Sequence, residues 1–488
     1  MKINELKIGS FLAMIILGVS SIIQIFYTPY YIDYLGVRDY GINSLVQSIM
    51  GYMSMLNLGL GNAMLRYTIK YRNTGKNDEE KYLNGMFLII FLCLMVIGMI
   101  LGALVYIKMP IFFKNNFTNM ELLKTRKIFI IMCVNLLLSF PMGVFSTAIT
   151  SREKFIFQRG IKLFIIILSP IIGIFLMKNG YGLVEVTIST VVLSIGNMIF
   201  DFFYSIKLGF KISFSKFDFK ILKEIGIYSF FIFLNVLIDQ IYWGTDRIII
   251  GKYKGVEEVA IYSIGSIFNT MYMGFASAIS GVLAPRINKL VSEDKEADAY
   301  NLFLKVGKIQ FLILALISSG FIFFGKEFIE LWVGKKYFES YYIALWIMIP
   351  LTIPLIQSTG IVIMQAKNKH QFRSVVYFII AVLNISMSIF LVKKIGGLGC
   401  AVATGISFIF GQIIIMNIYY HKILKMNMIL FWKEILKLSI PVLIASIVGI
   451  FLNRYLVNVN YINFLIKILI YTIIYILITY IFRKRIQE

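Results

Sequence analysis

Long apolar runs recur from one end of the chain to the other, parted by short stretches rich in Lys, Asn and Gly. A run of about 18 or more such residues, at about 1.5 Å of helix per residue, crosses a hydrocarbon core of about 30 Å. The pattern predicts fourteen helices, over residues 8–28, 41–65, 82–107, 127–150, 160–177, 182–206, 224–250, 257–285, 301–325, 341–365, 373–392, 397–420, 433–453 and 461–482. The expected fold is therefore all-α, a polytopic membrane protein of about fourteen spans. The N-terminal apolar run is too long for a cleaved signal and no A-x-A-like site follows it, so it reads as the first span.

The pattern also repeats. "YLGVRDYGINSL" from Tyr34 aligns with "YKGVEEVAIYSI" from Tyr253, "TSREKFIFQ" from Thr150 with "QAKNKHQFR" from Gln365, and "NGYG" from Asn179 with "GGLG" from Gly396. The offset stays nearly constant. Six predicted spans separate the copies, an even number, so both halves point the same way. This predicts two parallel six-helix bundles, 1–218 and 219–425, related by an axis along the membrane normal with a cleft between them. Residues 426–488 add a helix pair without a partner in the repeat, the natural place for a specialisation toward substrate or lipid.

Composition agrees. The 488 residues are 59% hydrophobic and only 15% charged, against about 25% charged in soluble proteins, and mean hydropathy is +0.82. The net charge of +23 does not indicate nucleic acid, because Lys and Arg fall as short clusters between spans. Their distribution sets orientation. With the N-terminus in the cytoplasm, the cytoplasmic loops hold roughly twice as many Lys and Arg as the external ones. "RYTIKYRNTGKNDEEK" and "KLGFKISFSKFDFKILK" dominate that bias; "IKMPIFFKNN" and "LLKTRK" run against it. Both termini are expected in the cytoplasm.

Cys93, Cys133 and Cys400 fall in predicted spans, which gives neither a disulfide framework nor metal spacing. His370 and His421 read as solvated loop residues. No cofactor or metal is expected. "GFIFFGKE" from Gly320 has a phosphate-loop skeleton, but it lacks the Ser or Thr that holds Mg²⁺ and lies in a span. No loop is long enough for an ATPase domain, so any work must come from a gradient or the membrane potential.

In "LNLGLGNAMLRY", Gly51 upstream together with Gly59 and Gly61 allow close helix approach or a hinge. Arg66 closes this span by snorkelling to the interface or by meeting an anion. Several amides, Gln24, Asn57, Asn62, Asn197, Asn235, Asn269, Gln310, Gln357, Asn384 and Gln412, are expected to be buried, with interhelical hydrogen bonds accounting for most of them. The seventh span carries the sharpest chemistry, "IDQIYWGTDRIIIG" from Ile238. A charge at the bilayer centre costs about 2.5–3.5 kcal/mol on insertion scales. Asp239 and Asp246, seven apart, fall almost on one face with Trp243 between them, while Gln240 and Arg247 form a second polar line. Adjacent Asp246 and Arg247 do not face each other. The two lines fit a helix bordering a watery cleft; a structural ion pair with another helix is the alternative.

Taken together, "YLGVRDYGINSLVQSIMGYMSMLNLGLGNAMLRY", "TDRIIIGKYKGVEEVAIYSIGSIFN", "FIELWVGKKY" and "KKIGGLGCAVATGIS" resemble Wzx-type polysaccharide flippases of the multidrug/oligosaccharidyl-lipid/polysaccharide exporter superfamily. The resemblance covers essentially the whole chain. It implies alternating access in the bacterial cytoplasmic membrane, carrying an undecaprenyl-pyrophosphate-linked oligosaccharide to the outer leaflet for O-antigen, capsule or other surface polysaccharide. It implies a transporter rather than an enzyme, with membrane lipid, a Na⁺ or H⁺ coupling ion and a polysaccharide polymerase as partners. Arg247, Arg66, Asn62 and Trp243 are then the substrate-binding candidates, and Asp239 and Asp246 the ion-coupling or orienting ones. The two acids depart from a plainly cationic cavity. They keep a cation-coupled drug exporter of the same superfamily open as an alternative. A membrane polymerase or ligase would need a large external loop with catalytic residues; the longest here, around 108–126, offers only Glu121 as an acid.

Physics favours the flippase. Sugar hydroxyls cost several kcal/mol each in hydrocarbon unless hydrogen-bonded. A headgroup with two negative charges gains about 4.6 kcal/mol moving outward across a 100 mV inside-negative potential.

Overall fold

The computed structural model describes residues 2–487 apart from 368 and 370, with side chains at all of these except 2–4, 6, 7, 10, 220, 227, 228, 231, 235 and 483–487. The expectations for His370 and for the Asn235 side chain lie outside the described residues. The chain is all-α. Among the described residues, eleven helical stretches are long and apolar enough to cross a membrane; α7 (Phe219–Lys254), 36 residues long, holds the seventh apolar run of the sequence. Two of the eleven, Phe11–Asn73 and Gln371–Lys422, each fold back once, which brings the crossings to about fourteen, as the apolar runs predict.

Residues 1–260 and 261–488 form two compact units. In the first, α1 (Lys2–Ser54) turns at Gly36, whose φ of 83° is left-handed territory that glycine enters without a Cβ penalty. The turn is a reversal: Tyr31 and Tyr40 bring their ring centroids to 5.7 Å on either side of it. Charge pairs close the corner. Lys124 lies 2.7 Å from Asp39, and Arg38 lies 2.7 Å from Glu257 and 3.4 Å from Glu121.

The second limb of α1 does not run on unbroken. A 3-10 turn at Met55–Asn57 is followed by Leu58 and Gly59, both left-handed, before α2 (Leu60–Asn73) resumes. α3 (Asn77–Phe113), α4 (Asn119–Ser151), α5 (Phe155–Lys178) and α6 (Leu183–Lys207) complete the bundle, and α7 packs on α1 within this unit. A capping box starts α4: Thr118 Oγ1 accepts from the Glu121 N–H, and Glu121 Oε2 accepts from the Thr118 N–H.

The second unit holds most of α8 (Val256–Ser292), α9 (Glu296–Trp332), α10 (Glu339–Ile356), α11 (Ser358–Ala366), α12 (Gln371–Phe408), a π-turn at Ile409–Ile415, α13 (Met416–Lys422), α14 (Met428–Tyr455) and α15 (Tyr461–Gln487). α12 reverses at Ile395 and Gly396, so Asn384 Nδ2 donates to Thr404 Oγ1 at 3.1 Å across a separation that would span about 30 Å in a straight helix. The last two helices pack on α9. Tyr471 donates to Ser319, Tyr475 to the Leu312 carbonyl and Asn453 to the Phe323 carbonyl, around a core of Phe324, Ala445 and Phe464. All three cysteines are free thiols, Cys93 exposed and the other two buried.

Candidate functional site

The structure resolves the two polar lines of α7 into different surroundings. Gln240, Gly244, Arg247 and Gly251 recur at helical spacing, so they share one stripe, and that stripe lies on the second limb of α1. Gln240 Nε2 donates to the Ser48 carbonyl at 3.2 Å, and Arg247 Nη1 donates to Ser48 Oγ at 3.4 Å. The Tyr52 and Thr245 hydroxyls share a hydrogen bond. Glycine makes the approach possible: a Cβ on Gly51 or Gly244 would run into the Gln240 amide, and Gly251 receives Leu45. The seam is thus polar at its contacts and small at its crossings, the composition that lets membrane helices hydrogen-bond at close range.

The two acids differ in exposure. Asp246 is 1% exposed, whereas Asp239 is exposed and Trp243 half-buried. Two turns of helix apart, the two acids thus differ in burial, the one nearer the end of α7 covered and the other open. Arg247, half-buried in the seam, combines a packing role with partial access.

Arg66 and Asn62 stand elsewhere. Both lie on α2 and both are exposed, so Asn62 does not belong with the buried amides. Tyr67, beside Arg66, donates to Glu224 Oε2 at 2.9 Å near the start of α7. From Glu224 to Arg247 the helix rises about 34 Å. Arg66, next to Tyr67, and Arg247 thus sit near opposite ends of α7 in this structure.

A second concentration of charge was hidden in what the sequence offers only as loop bias. Where the chain begins, the ends of α2, α3, α4 and α6 frame a polar cavity of about 370 Å³ lined by Arg72, Lys81, Arg152 and Lys211 around Glu80. Glu80 Oε1 lies 3.2 Å from Arg152 Nη2 and 3.6 Å from Arg72 Nη1. Burial first, then the neighbouring Arg72, pull the Arg152 guanidinium below its ordinary value, and the Glu80 carboxylate opposes both. The loop after α6 is stitched over this pocket: Asn84 Nδ2 donates to the Lys211 carbonyl and the Ser213 N–H to the Lys81 carbonyl. A glycine at 85 is required because the Ser213 carbonyl occupies the place of a Cβ.

In the second unit, an amide cluster surrounds the break between α10 and α11. Gln357 Nε2 donates to Asn417 Oδ1 at 3.0 Å, Trp432 Nε1 donates to the same oxygen at 2.8 Å, and Gln310 Nε2 donates to the Ala276 carbonyl at 3.0 Å. These are the interhelical hydrogen bonds expected of Gln310 and Gln357. Among the described residues no three His, Cys, Asp or Glu side chains gather as a metal-holding group.

Comparison with known proteins adds to this geometry. Residues 6–291 match a family described as polysaccharide biosynthesis protein. A Shigella flexneri protein named "Putative O-antigen transporter" is 21% identical over 398 residues, covering 79% of this chain and 90% of its own length. Among solved structures, the lipid II flippase MurJ in an inward closed conformation superposes with a TM-score of 0.78 at 21% identity, covering 99% of this chain and 100% of the flippase. A multidrug resistance MATE family transporter of the MOP superfamily, in an inward-facing conformation, follows with a TM-score of 0.62 at 14% identity, covering 85% of this chain and 96% of that one. At these identities the structural likeness speaks for the fold.

Proposed function

The chain belongs to the polysaccharide biosynthesis protein family, and we propose that it is a flippase carrying an undecaprenyl-pyrophosphate-linked oligosaccharide from the inner to the outer leaflet of the bacterial cytoplasmic membrane by alternating access. Both termini face the cytoplasm in this reading. The observation that carries it is an arginine held half-buried inside a membrane-spanning helix: Arg247 rests against Ser48 on the polar seam of α7. An intramembrane guanidinium is expensive unless it pairs or serves an anion, and a planar fork suits a phosphate through two parallel hydrogen bonds.

The separation of the two arginines orders the path. Arg66, exposed on α2 near the side where the chain begins, meets the pyrophosphate first. Arg247, about 10 Å of helix from the end of α7 at Lys254, receives it near the outer side. The basic cluster around Glu80 raises the local concentration of the anionic headgroup at the cytoplasmic mouth. The inside-negative potential then favours outward movement without nucleotide hydrolysis. A cation-coupled drug exporter would use its acids together in one cavity; of the pair Asp239 and Asp246 only Asp239 is accessible, which is better suited to orienting Arg247 or coupling a Na⁺ or H⁺.

The test is transbilayer movement of a labelled undecaprenyl-pyrophosphate oligosaccharide in proteoliposomes, with and without an imposed potential. Arg247→Ala is expected to lose most of the flipping with normal membrane insertion, and Arg247→Lys to retain part of it. Equal rates for Arg247→Ala and the parent would leave the guanidinium a purely structural contact of Ser48.

A further inference from the structure

A second polar space lies inside the first unit, away from the α7 seam. It is a cavity of about 470 Å³ bounded by both limbs of α1 and by α4, α5 and α6, within the range of about 300–1,000 Å³ that small-molecule sites occupy. Its polar wall includes Tyr27 and Tyr31 from the first limb, Asn43 and Gln47 from the second, and Asn135 and Thr187 from α4 and α6. None of the side chains lining it is charged, in a chain with 48 Lys and Arg residues.

The space is built rather than left over. The reversal at Gly36 brings Tyr27 and Met50 to the same wall, although 23 residues of straight helix would part them by about 35 Å. Gly173 on α5 admits the Tyr27 hydroxyl, which a Cβ there would exclude. The Tyr27 and Tyr31 rings meet edge to face at 5.7 Å, so their apolar faces are held in place. Asn135 Oδ1 is buried with no hydrogen-bond partner. A buried acceptor left unpaired is costly, and a hydroxyl donor inside the cavity would satisfy it.

Fixed tyrosine rings, neutral amides and aliphatic hydroxyls, with no ion among them, are the chemistry that receives a pyranose: hydroxyls bond to the amides while the C–H face of the ring lies on the aromatics. A charged ligand would find no counter-ion here and would forfeit its hydration. We infer that this cavity is a docking site for an uncharged sugar residue, separate from the arginines that handle phosphate. The inference rests on the proposed flippase reading, in which that sugar belongs to the lipid-linked glycan. The two parts of the cargo are then read by different chemistries, charge along α2 and α7 and neutral hydrogen bonding inside the bundle.

The experiment compares two labelled lipids in proteoliposomes, undecaprenyl pyrophosphate carrying a neutral oligosaccharide and bare undecaprenyl pyrophosphate, and adds saturation-transfer NMR on protein in nanodiscs with free glucose, galactose, N-acetylglucosamine and glucuronate. The variants are Asn135→Leu and Gln47→Leu. Gln47 is an exposed wall residue, so its substitution spares the fold. Expected are at least a tenfold slower transfer of the glycan lipid in both variants, bare lipid within twofold of the parent, and NMR transfer to at least one neutral sugar that both variants lose, with none to glucuronate. Equal slowing of both lipids, or of neither, overturns the inference. If the parent moves neither lipid, the flippase reading fails and the NMR decides the site alone: neutral-sugar transfer lost in both variants supports a free-saccharide site, and its absence in the parent overturns it.

Discussion

Lys467 and Glu327 form a 2.6 Å ion pair inside the second unit, with 3% and 10% of their side chains exposed. The pair ties α15 to α9 at a depth where neither charge meets bulk water. Truncating one member of such a pair costs about 3–5 kcal/mol because the other charge stays behind, whereas replacing both by apolar groups is often neutral. Lys467→Met and Glu327→Met should each lower the melting temperature of purified protein, and the double variant should return toward the parent. Single variants that melt like the parent would show that the pair does not hold α15.

Gly59 is the residue on which the break between the two parts of the second span turns. Its φ of 68° is strained for any L side chain, and a Cβ would collide with Ile232 on α7. Gly59→Ala should destabilise the protein by about 1–3 kcal/mol. Gly61, with nothing within 4 Å of its Cβ position, is the internal control: Gly61→Ala should leave the melting curve unchanged or raise it, since alanine favours helix. Equal effects at both sites would mean the left-handed turn carries no special constraint.

The sequence made the spans legible because hydropathy acts locally, and the gaps it leaves between predicted spans, 29–40 and 393–396, hold both reversals, where the structure has glycines with a positive φ at residues 36 and 396. It also flagged Gly51 and Gly59, though their different jobs emerged only from what lies opposite, the Gln240 amide and Ile232. What it withheld is non-local. Nothing in the apolar run of α15 announces that Lys467 will meet an acid 140 positions earlier, or that Gly173 exists to admit Tyr27. The α7 stretch shows the mixture within one site. Helical spacing draws two polar lines, but only the packing shows that Gln240 and Arg247 meet Ser48 and that Asp246 is buried while Asp239 is exposed.

Orientation in the membrane is directly checkable. Lys76, Lys216 and Lys295 lie in links between α2 and α3, α6 and α7, and α8 and α9, while Asn116 and Lys335 lie in the alternate links. Reporter fusions should read the first three as cytoplasmic and the last two as external. Two or more inverted readings would overturn the assignment drawn from Lys and Arg bias.

The distance between Arg66 and Arg247 predicts a division of kinetic labour. About 34 Å of α7 separates their levels, roughly the thickness of the hydrocarbon core, so one headgroup cannot engage both in this conformation. Arg66 should act in loading and Arg247 in the later part of transfer. With labelled lipid-linked oligosaccharide in proteoliposomes, Arg66→Ala should raise the lipid concentration needed for half-maximal rate severalfold while leaving the maximal rate within about twofold. Arg247→Ala should do the reverse, cutting the maximal rate at least tenfold. A membrane potential should also separate them. An inside-negative field assists the outward passage of the negatively charged headgroup, so raising it should partly restore Arg247→Ala and leave the loading defect of Arg66→Ala in place. Asp239→Asn keeps the shape of the exposed side chain and removes its charge; if that acid couples a cation, the variant should lose dependence on the Na⁺ or H⁺ gradient and keep its response to potential. Identical kinetic signatures for Arg66→Ala and Arg247→Ala would mean that the two arginines serve one step, and the ordered path along α2 and α7 would be wrong.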